Sequence, residues 1–188
     1  MLVVQEFVSV DGFAADANGE FGFGGVIPDW SDIDADQRRL MDRTGMIVLG
    51  RRTYELFVAY WPTADHVMAE PINTTPKAVI SQSLTAATWG DWPPATVHSG
   101  PLADAVRQLA KAADPKDLLV WGSLNLTKSL LREGLVDELR LIVCPVVLGT
   151  GIGLIPADFG HTTLTLIDSK AYPNGAAQLT YRTADQPK

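Results

Sequence analysis

Residues 46–57 read MIVLGRRTYELF, in which an apolar strand-like run ends at Gly50 and a helical pattern follows at once. The N–H groups of a first helical turn have no partner inside the helix, so such a junction attracts anions. Glycine lets a ligand approach the backbone, and Arg51 and Arg52 add positive charge. The stretch predicts a phosphate site. A solvated turn capped by Thr53 is the alternative.

The composition indicates one acidic domain with a single buried core. The 188 residues are 46% apolar and 20% charged, and we expect one domain to span residues 1–188. The formal net charge of -7 argues against a broad binding surface for nucleic acid or anionic lipid. The only cysteine, Cys144, lies in an apolar run, which excludes a disulfide framework and a cysteine zinc site within the chain.

The first ten residues, MLVVQEFVSV, are typical of a strand. They include the acidic Glu6 and lack the basic segment of a signal peptide. Apolar runs in the chain are all shorter than the roughly 20 residues that cross a membrane. We therefore expect a cytoplasmic protein that does not enter membranes.

Apolar strand-like runs alternate with helical patterns along most of the chain. Predicted strands cover 2–10, 46–49, 78–81, 95–98, 118–121 and 138–147, and predicted helices cover 33–44, 53–59, 102–113 and 124–133. This alternation indicates βαβ units, and hence a mostly parallel sheet with helices on both faces. Two further β-rich stretches flank the turn sequence YPNG at 172–175, which predicts a C-terminal antiparallel hairpin.

Two stretches, 11–29 and 60–76, show no regular pattern and are expected to be irregular. The first contains five glycines and follows the first predicted strand. A loop in that position is typical of an active-site lid, and a loosely ordered surface loop is the alternative.

Polar residues and glycines follow four of the predicted strands. These strand ends are Ser9–Gly12, Gly50–Thr53, Ser81–Ser83 and Trp121–Asn125. Ligands bind outside the carboxyl ends of strands in open parallel sheets, so these segments form the candidate site. The turn at Gly122 and Ser123 also leads into a helix, and two phosphate sites of this kind predict a dinucleotide. The alternative is that Ser123 only caps its helix.

Five segments in register resemble the dihydrofolate reductase-like superfamily, in the branch of the C-terminal reductase domain of the bacterial riboflavin-biosynthesis protein. They are VSVDGF (8–13), VLGRRTYELF (48–57), KAVIS (77–81), VWGSLNLTKSLL (120–131) and GLVDELRLIVCPVVLGTG (134–151). The resemblance implies a three-layer αβα sandwich with antiparallel C-terminal strands, in agreement with the predicted hairpin.

The resemblance also implies that the chain binds NADPH. In the family a Gly-Arg-x-Thr turn holds the cofactor phosphates, which maps onto Gly50, Arg51 and Thr53. The arginine favours the 2′-phosphate, and therefore NADPH over NADH. Two more sets carry over: Ser81 and Gln82 near the adenosine ribose, and Gly122, Ser123, Leu124, Asn125 and Leu126 around the pyrophosphate. Here Trp121 and Ser123 flank Gly122, where dihydrofolate reductase proper has a pair of glycines.

Two carboxylates are candidates for orienting or protonating a substrate. Asp34 falls, counted back from Gly50 without gaps, where the resemblance places the carboxylate that holds a pteridine ring. Its neighbours at 35–39 are mostly polar, which argues against folate itself and leaves a solvated helix face as the alternative. Asp11 directly follows the first strand, and its alternative is a turn former.

Other motifs lack the context that their chemistry needs. The glycines at 149–153 precede no helical pattern, so they do not form a dinucleotide fingerprint. His66, His98 and His161 lie far apart and are predicted to be surface or loop residues, and no metal site is expected. Hydride transfer needs neither metal nor nucleophile, because the cofactor supplies the chemistry.

The sequence thus predicts an NADPH-dependent reductase of a small, flat heterocycle, pyrimidine- or pterin-like, with Asp11 or Asp34 at the site. The main alternative is a non-catalytic NADP(H)-binding module whose substrate space is filled, with Phe13, Phe21, Phe23 and Trp30 as the candidates. A heterocycle reductase unrelated to vitamins is a third hypothesis. We expect a homodimer from the family resemblance and from the apolar run Leu139–Leu148, which suits an interface or the core.

Overall fold

The computed structural model describes residues 1–183, and residues 184–188 of the predicted domain lie outside the described part. The strands are β1 (Leu2–Ser9), β2 (Phe13–Ala15), β3 (Thr44–Gly50), β4 (Lys77–Ile80), β5 (Ala87–Trp89), β6 (Trp92–His98), β7 (Asp117–Trp121), β8 (Glu138–Cys144), β9 (Ile152–Gly153), β10 (Leu164–Ala171) and β11 (Ala177–Thr183). The α-helices are α1 (Ser31–Arg43), α2 (Arg51–Tyr60), α3 (Ala69–Thr74), α4 (Leu102–Ala113) and α5 (Leu124–Arg132).

Nine strands form one sheet in the order β10-β11-β8-β1-β7-β3-β4-β6-β5. The six strands from β8 to β6 in this order are parallel to one another. The hairpin of β10 and β11 adds to β8 in antiparallel fashion, and β5 pairs antiparallel with β6. The mostly parallel sheet and the antiparallel C-terminal hairpin are thereby confirmed.

Helices cover both faces of this sheet because its strands are apolar on both sides. On one face Val4 packs in a cluster with Leu109 of α4 and Leu130 of α5. On the other face the adjacent Val3 packs with Leu40 of α1, in a cluster that α2 and α3 also join. Alternation along β1 therefore separates two cores, and the chain forms the predicted three-layer αβα sandwich.

The two stretches expected to be irregular contain short elements, so that expectation was wrong. Residues 60–76 include a 3-10 turn at Trp61–Thr63 and helix α3, and residues 11–29 include β2 and a 3-10 turn at Gly22–Val26. Elements this short show no periodicity in sequence and depend on partners far along the chain. For example, the Asn73 side chain of α3 donates to the Trp61 carbonyl and accepts a bond from the Trp89 indole.

The apolar run 139–148 lies mostly in β8, between β1 and β11. Ile142 and Cys144 are fully buried there, so this part of the run belongs to the core. Burial raises the pKa of the Cys144 thiol to about 11, which keeps it protonated and unreactive. Within residues 1–183, none of the helices is long and apolar enough to span a membrane.

Candidate active site

The site lies between two neighbouring strands whose following helices pack on opposite faces of the sheet. Strands β7 and β3 are adjacent and parallel. Helix α5 follows β7 and packs in the Val4 core, whereas α2 follows β3 and packs in the Val3 core. Such a change of side opens a crevice at the carboxyl ends of the strands, the usual ligand site of open α/β sheets.

A cavity of about 1480 Å³ occupies this crevice. Typical pockets for one drug-sized ligand measure about 300–1,000 Å³, so the space suits a long ligand or two ligands. Ten of the twelve residues assigned to the substrate and cofactor sites from the sequence line it: Asp34, Gly50, Arg51, Thr53, Gln82, Gly122, Ser123, Leu124, Asn125 and Leu126. Asp11 and Ser81 are described by the structure but do not line the cavity.

Two hydrogen bonds join the starts of α2 and α5 at the carboxyl end of the sheet. The Gly50 N–H donates to Ser123 Oγ at 2.8 Å, and the Ser123 N–H donates to Thr53 Oγ1 at 2.9 Å. Neither side chain therefore acts as the helix cap considered from the sequence. In the described part of the chain no side chain caps either helix start, which leaves their N–H groups for a ligand.

The turn into α5 has a backbone that few residues adopt. Gly122 and Ser123 both have positive φ, of 64° and 63°. Glycine tolerates this conformation, and a Cβ at Gly122 would also lie only 3.1 Å from Thr53 Cγ2. For Ser123 the conformation is unusual, and its two bonds to the α2 side hold it there. By contrast, Gly50 has negative φ, and a Cβ there would make ordinary contacts, so its backbone does not require glycine.

Arg51 extends from the α2 start toward the end of β4. Its Nε donates to Glu55 Oε1 at 2.7 Å and its Nη1 donates to Ser83 Oγ at 2.9 Å. Ser81 is buried and accepts hydrogen bonds from the Ser83 and Leu84 N–H groups, which shapes the turn that presents Ser83. Ser81 thus supports this end of the site from behind.

Arg52 points the other way, toward the glycine-rich segment. Its Nη2 donates to the Asn18 carbonyl at 3.4 Å, and its guanidinium lies against Gly19. The two arginines therefore place positive charge on either side of the paired helix starts.

At the other end of the cavity, Asp34 lies in the first turn of α1 with 14% of its side chain exposed. Its Oδ2 is 3.6 Å from His66 Nε2. His66 Nδ1 accepts a hydrogen bond from the Met68 N–H, so whenever the ring is neutral its proton is on the Nε2 that faces Asp34. Burial raises the pKa of Asp34, the charge of His66 opposes that shift, and Asp29 adds to it.

Aromatic side chains from several elements surround this end of the cavity. Phe7 and Trp30 pack with ring centroids 5.4 Å apart, and Phe57 packs edge-on against Trp61 at 6.0 Å. The polar residues 35–39 therefore do not argue against folate as they did in the sequence, because only Gln37 of these lines the cavity. The apolar wall comes from segments distant in sequence.

Asp11 serves a different purpose from Asp34. Its carboxylate accepts hydrogen bonds from the N–H groups of Leu148 and Gly149, at 3.1 and 2.7 Å, and so joins the end of β1 to the loop after β8. A hydrogen bond from Ser9 lowers the pKa of Asp11, burial opposes that shift, and the backbone hydrogen bonds lower the pKa further, to about 2. A carboxylate so acidic holds no proton near neutral pH, and the geometry favours Asp34 of the two.

Sequence reasoning missed two site residues. His66 was dismissed because no ligand spacing marks it, and only the fold brings it to Asp34. Glu6 was noted only as an argument against a signal peptide, yet it lines the cavity with 5% exposure. A charged residue in the middle of an apolar strand was the available signal for Glu6. Burial raises the pKa of its carboxyl to about 8.

Comparison with known proteins identifies the family. Residues 1–177 match the model of the RibD C-terminal domain. The chain belongs to the RibD C-terminal domain family. This membership supports a reductase of the riboflavin-pathway type.

Individual proteins are also similar to the chain in sequence or in fold. The chain is 25% identical over 187 residues to the uncharacterized protein YyaP of Bacillus subtilis (strain 168), covering 96% of this chain and 93% of YyaP. A solved protein of Shewanella sp. PV-4 that is named for riboflavin biosynthesis superposes with a TM-score of 0.80 at 24% identity, covering 97% and 98% of the two chains. Dihydrofolate reductase from Enterococcus faecalis, complexed with NADP(H) and RAB-propyl, superposes with a TM-score of 0.60 at 12% identity, covering 98% and 97%. The dihydrofolate reductase-like fold is thus confirmed for this RibD C-terminal domain.

Proposed function

We propose that this RibD C-terminal domain is an NADPH-dependent reductase of a small, flat, pyrimidine- or pterin-like heterocycle. One observation carries the proposal: a single cavity joins two uncapped helix starts and two arginines to an aromatic pocket that contains a partly buried carboxyl group. NADPH supplies a hydride when bound, and the protein supplies alignment and a proton.

The residues at the α2 and α5 starts fit the phosphates of a dinucleotide. Their free N–H groups and the helix dipoles attract a pyrophosphate, in a turn whose backbone at Gly122 approaches closely. Arg51, with Ser83 beside it, suits a terminal phosphate at the outer end. Arg52 adds charge on the side of the glycine-rich segment.

The residues around Asp34 fit a flat, polar ring. Aromatic side chains such as Phe7 and Trp30 offer faces and edges against which a heterocycle packs. Asp34 can accept hydrogen bonds from ring N–H groups and can hold a proton, since burial raises its pKa. His66 orients that carboxylate and provides a second exchangeable proton at Nε2.

The open cavity favours turnover over the non-catalytic NADP(H)-binding alternative. That alternative expects aromatic side chains to fill the substrate space. Phe21 and Trp30 line the cavity, whereas Phe13 and Phe23 do not, and the cavity as a whole, with its cofactor and substrate parts together, measures about 1480 Å³. The remaining alternative, a heterocycle reductase unrelated to vitamins, differs only in substrate.

We also propose a cytoplasmic homodimer. The edge strand β10 carries Leu166 and Ile167, which are 50% and 39% exposed. Unpaired edge strands with exposed apolar side chains are typical places for association with a second copy.

Titration calorimetry with NADPH and NADH, followed by an NADPH-oxidation screen, tests the proposed function. The screen covers dihydrofolate, pterins, pyrimidine ribosylamines, small enones and quinones. We expect Asp34→Asn to keep NADPH affinity within a few-fold and to lower turnover by about 10² or more. Asp11→Asn is the matched control and should leave turnover within a few-fold, because Asp11 does not line the cavity.

Each outcome of that test is decisive. Failure to bind NADPH would refute the proposal. Tight NADPH binding with no oxidation by any candidate substrate would favour the binding module. Loss of turnover in Asp11→Asn but not in Asp34→Asn would reverse the assignment of the carboxylates.

A further inference from the structure

Glu6 is a buried carboxyl group that the proposed mechanism does not use. It lies in the middle of β1, a strand covered on both edges by β7 and β8. The residue is 5% exposed, and its Oε1 has no hydrogen-bond partner among residues 1–183. An unpaired polar atom in such a place costs stability. Both side-chain polar atoms of the adjacent Gln5 also lack partners among residues 1–183, but of the two residues only Glu6 lines the cavity, and this position points to a ligand contact.

The strand register places Glu6 beside the α5 start. Gln5 pairs with Trp121 in the parallel ladder, and the Gln5 carbonyl accepts a bond from the Gly122 N–H. Glu6 is the next residue, at the point where β7 ends and the cavity begins. Its neighbours in alternation, Val4 and Val8, belong to the core under α4 and α5, so Glu6 faces that side.

Asp34 approaches the same cavity from α1, on the opposite side of the sheet. The two carboxyl groups can therefore contact different sides of one ligand. A ligand that lies across the carboxyl end of β7 would have Asp34 on one side and Glu6 on the other.

The protonation state of Glu6 determines what it can recognise. Burial raises the pKa of its carboxyl to about 8, so the group is mostly neutral at physiological pH. A neutral carboxylic acid presents one O–H donor and one carbonyl acceptor side by side. That pattern is complementary to a primary amide or to the C(=O)–NH edge of a lactam.

We infer that Glu6 binds an amide group of a ligand, donating its O–H to the amide C=O and accepting the amide N–H. The inference rests on the proposed function, which offers two sources of this group: the carboxamide of the nicotinamide ring and the lactam of a pyrimidine or pterin substrate. Glu6 is then a specificity residue at the junction of cofactor and substrate.

The test compares Glu6→Leu, which removes both hydrogen-bonding groups, with Glu6→Gln, which keeps one donor and one acceptor. Gln5→Leu is the matched control, because Gln5 is equally buried on the same strand but does not line the cavity. Titration calorimetry measures NADPH against its 3-acetylpyridine analogue, in which a methyl ketone replaces the carboxamide. Steady-state kinetics measures KM for the substrate found by the oxidation screen.

If the cofactor supplies the amide, the wild type prefers NADPH to the analogue by about tenfold or more. Glu6→Leu then loses this preference, and Glu6→Gln and Gln5→Leu keep it. If the substrate supplies the amide, the cofactor preference stays constant. KM then rises about tenfold in Glu6→Leu and returns toward the wild-type value in Glu6→Gln.

Two further measurements cover misfolding and failure of the proposed function. In wild-type protein labelled with ¹³C-glutamate, the Glu6 carboxyl resonance, assigned with Glu6→Gln, should shift when nicotinamide or uracil is added. This readout needs neither NADPH nor a stable leucine variant. A wild type that does not bind NADPH but shows this shift would refute the proposed function and support the amide site.

The inference on Glu6 is overturned if that resonance is unmoved by both fragments. It is also overturned if a folded Glu6→Leu variant has the wild-type cofactor preference and the wild-type KM. In either case NADPH binding and turnover by the wild type would leave the proposed function standing.

Discussion

Replacing Glu6 with glutamine should stabilise the protein by an amount that grows with pH. In the unfolded chain the Glu6 carboxyl titrates near its ordinary pKa of 4.5, whereas burial raises its pKa in the folded protein to about 8. Between these values the folded state holds a proton that the unfolded state has lost. The free energy of unfolding therefore falls as pH rises through this range, by about 1.4 kcal/mol for each pH unit.

The magnitude follows from the width of that window. Between pH 4.5 and pH 8 the loss in the free energy of unfolding adds up to at most about 5 kcal/mol. Water that enters from the adjoining cavity reduces this loss. Glutamine does not titrate, so the stability difference between Glu6→Gln and wild type should be nearly constant below pH 4.5. It should then rise to at least about 2 kcal/mol at pH 8 and level off above that.

Urea unfolding followed by tryptophan fluorescence, without ligand and at a series of pH values from about 4 to 9, measures this difference. The matched control is Glu55→Gln on the rim of the same cavity, where the side chain is 50% exposed. Its stability difference should stay within about 1 kcal/mol, because it removes only an exposed ion pair with Arg51. A flat profile for Glu6→Gln would show that the Glu6 carboxyl is hydrated or paired in solution, and would refute the reasoning from its burial.

Three other predictions concern the phosphate end, the carboxyl end and the assembly. Arg51→Ala should weaken NADPH binding by about 10- to 150-fold and hardly change NADH binding. Glu55→Gln should strengthen NADPH binding a few-fold, because it removes a carboxylate that competes for Arg51. Calorimetry measures both variants, and equal losses of NADPH and NADH affinity in Arg51→Ala would contradict the 2′-phosphate role of Arg51. His66→Gln should raise the pKa of Asp34, because the charge of His66 lowers it; a ¹³C NMR titration of the Asp34 carboxyl measures the shift, and an unchanged or lower value would contradict it. Light scattering at micromolar concentration should give a dimer that Ile167→Lys converts to a monomer, and a wild-type mass near 20.3 kDa would exclude the dimer.

The parts of the site that lie within one short segment could be predicted from the sequence. At Gly50 and at Gly122 a strand, a turn and a helix start follow one another within about ten residues, so the local pattern suffices. The structure places both turns on one cavity. The position of Asp34 came from the family resemblance, counted back from Gly50 without gaps, and in the structure Asp34 lines the same cavity as Gly50.

The parts that depend on contacts between distant segments could not be predicted. Ser123 suggested a helix cap, but its hydroxyl accepts from Gly50, which is 73 positions away. His66 reaches Asp34 from a stretch whose short helix has no visible period. The aromatic wall likewise combines β1, α2 and the segment before α1, so no local window contains it.

Glu6 is a different case, because its signal was present in the sequence. In VVQEFVSV a strand buried on both faces carries two polar side chains in succession, and alternation sends Gln5 and Glu6 to opposite cores. Of these two residues only Glu6 lines the cavity, and it lies on the same side of the sheet as α5, the helix that follows β7. The helices that follow β7 and β3 pack on opposite faces of the sheet, and the crevice between their starts reaches one of the two polar residues. This topology accounts for the pairing of the α2 and α5 starts and for Asp34 and Glu6 facing one cavity from opposite layers, whereas Gln5, which also lacks side-chain partners among residues 1–183, does not line the cavity.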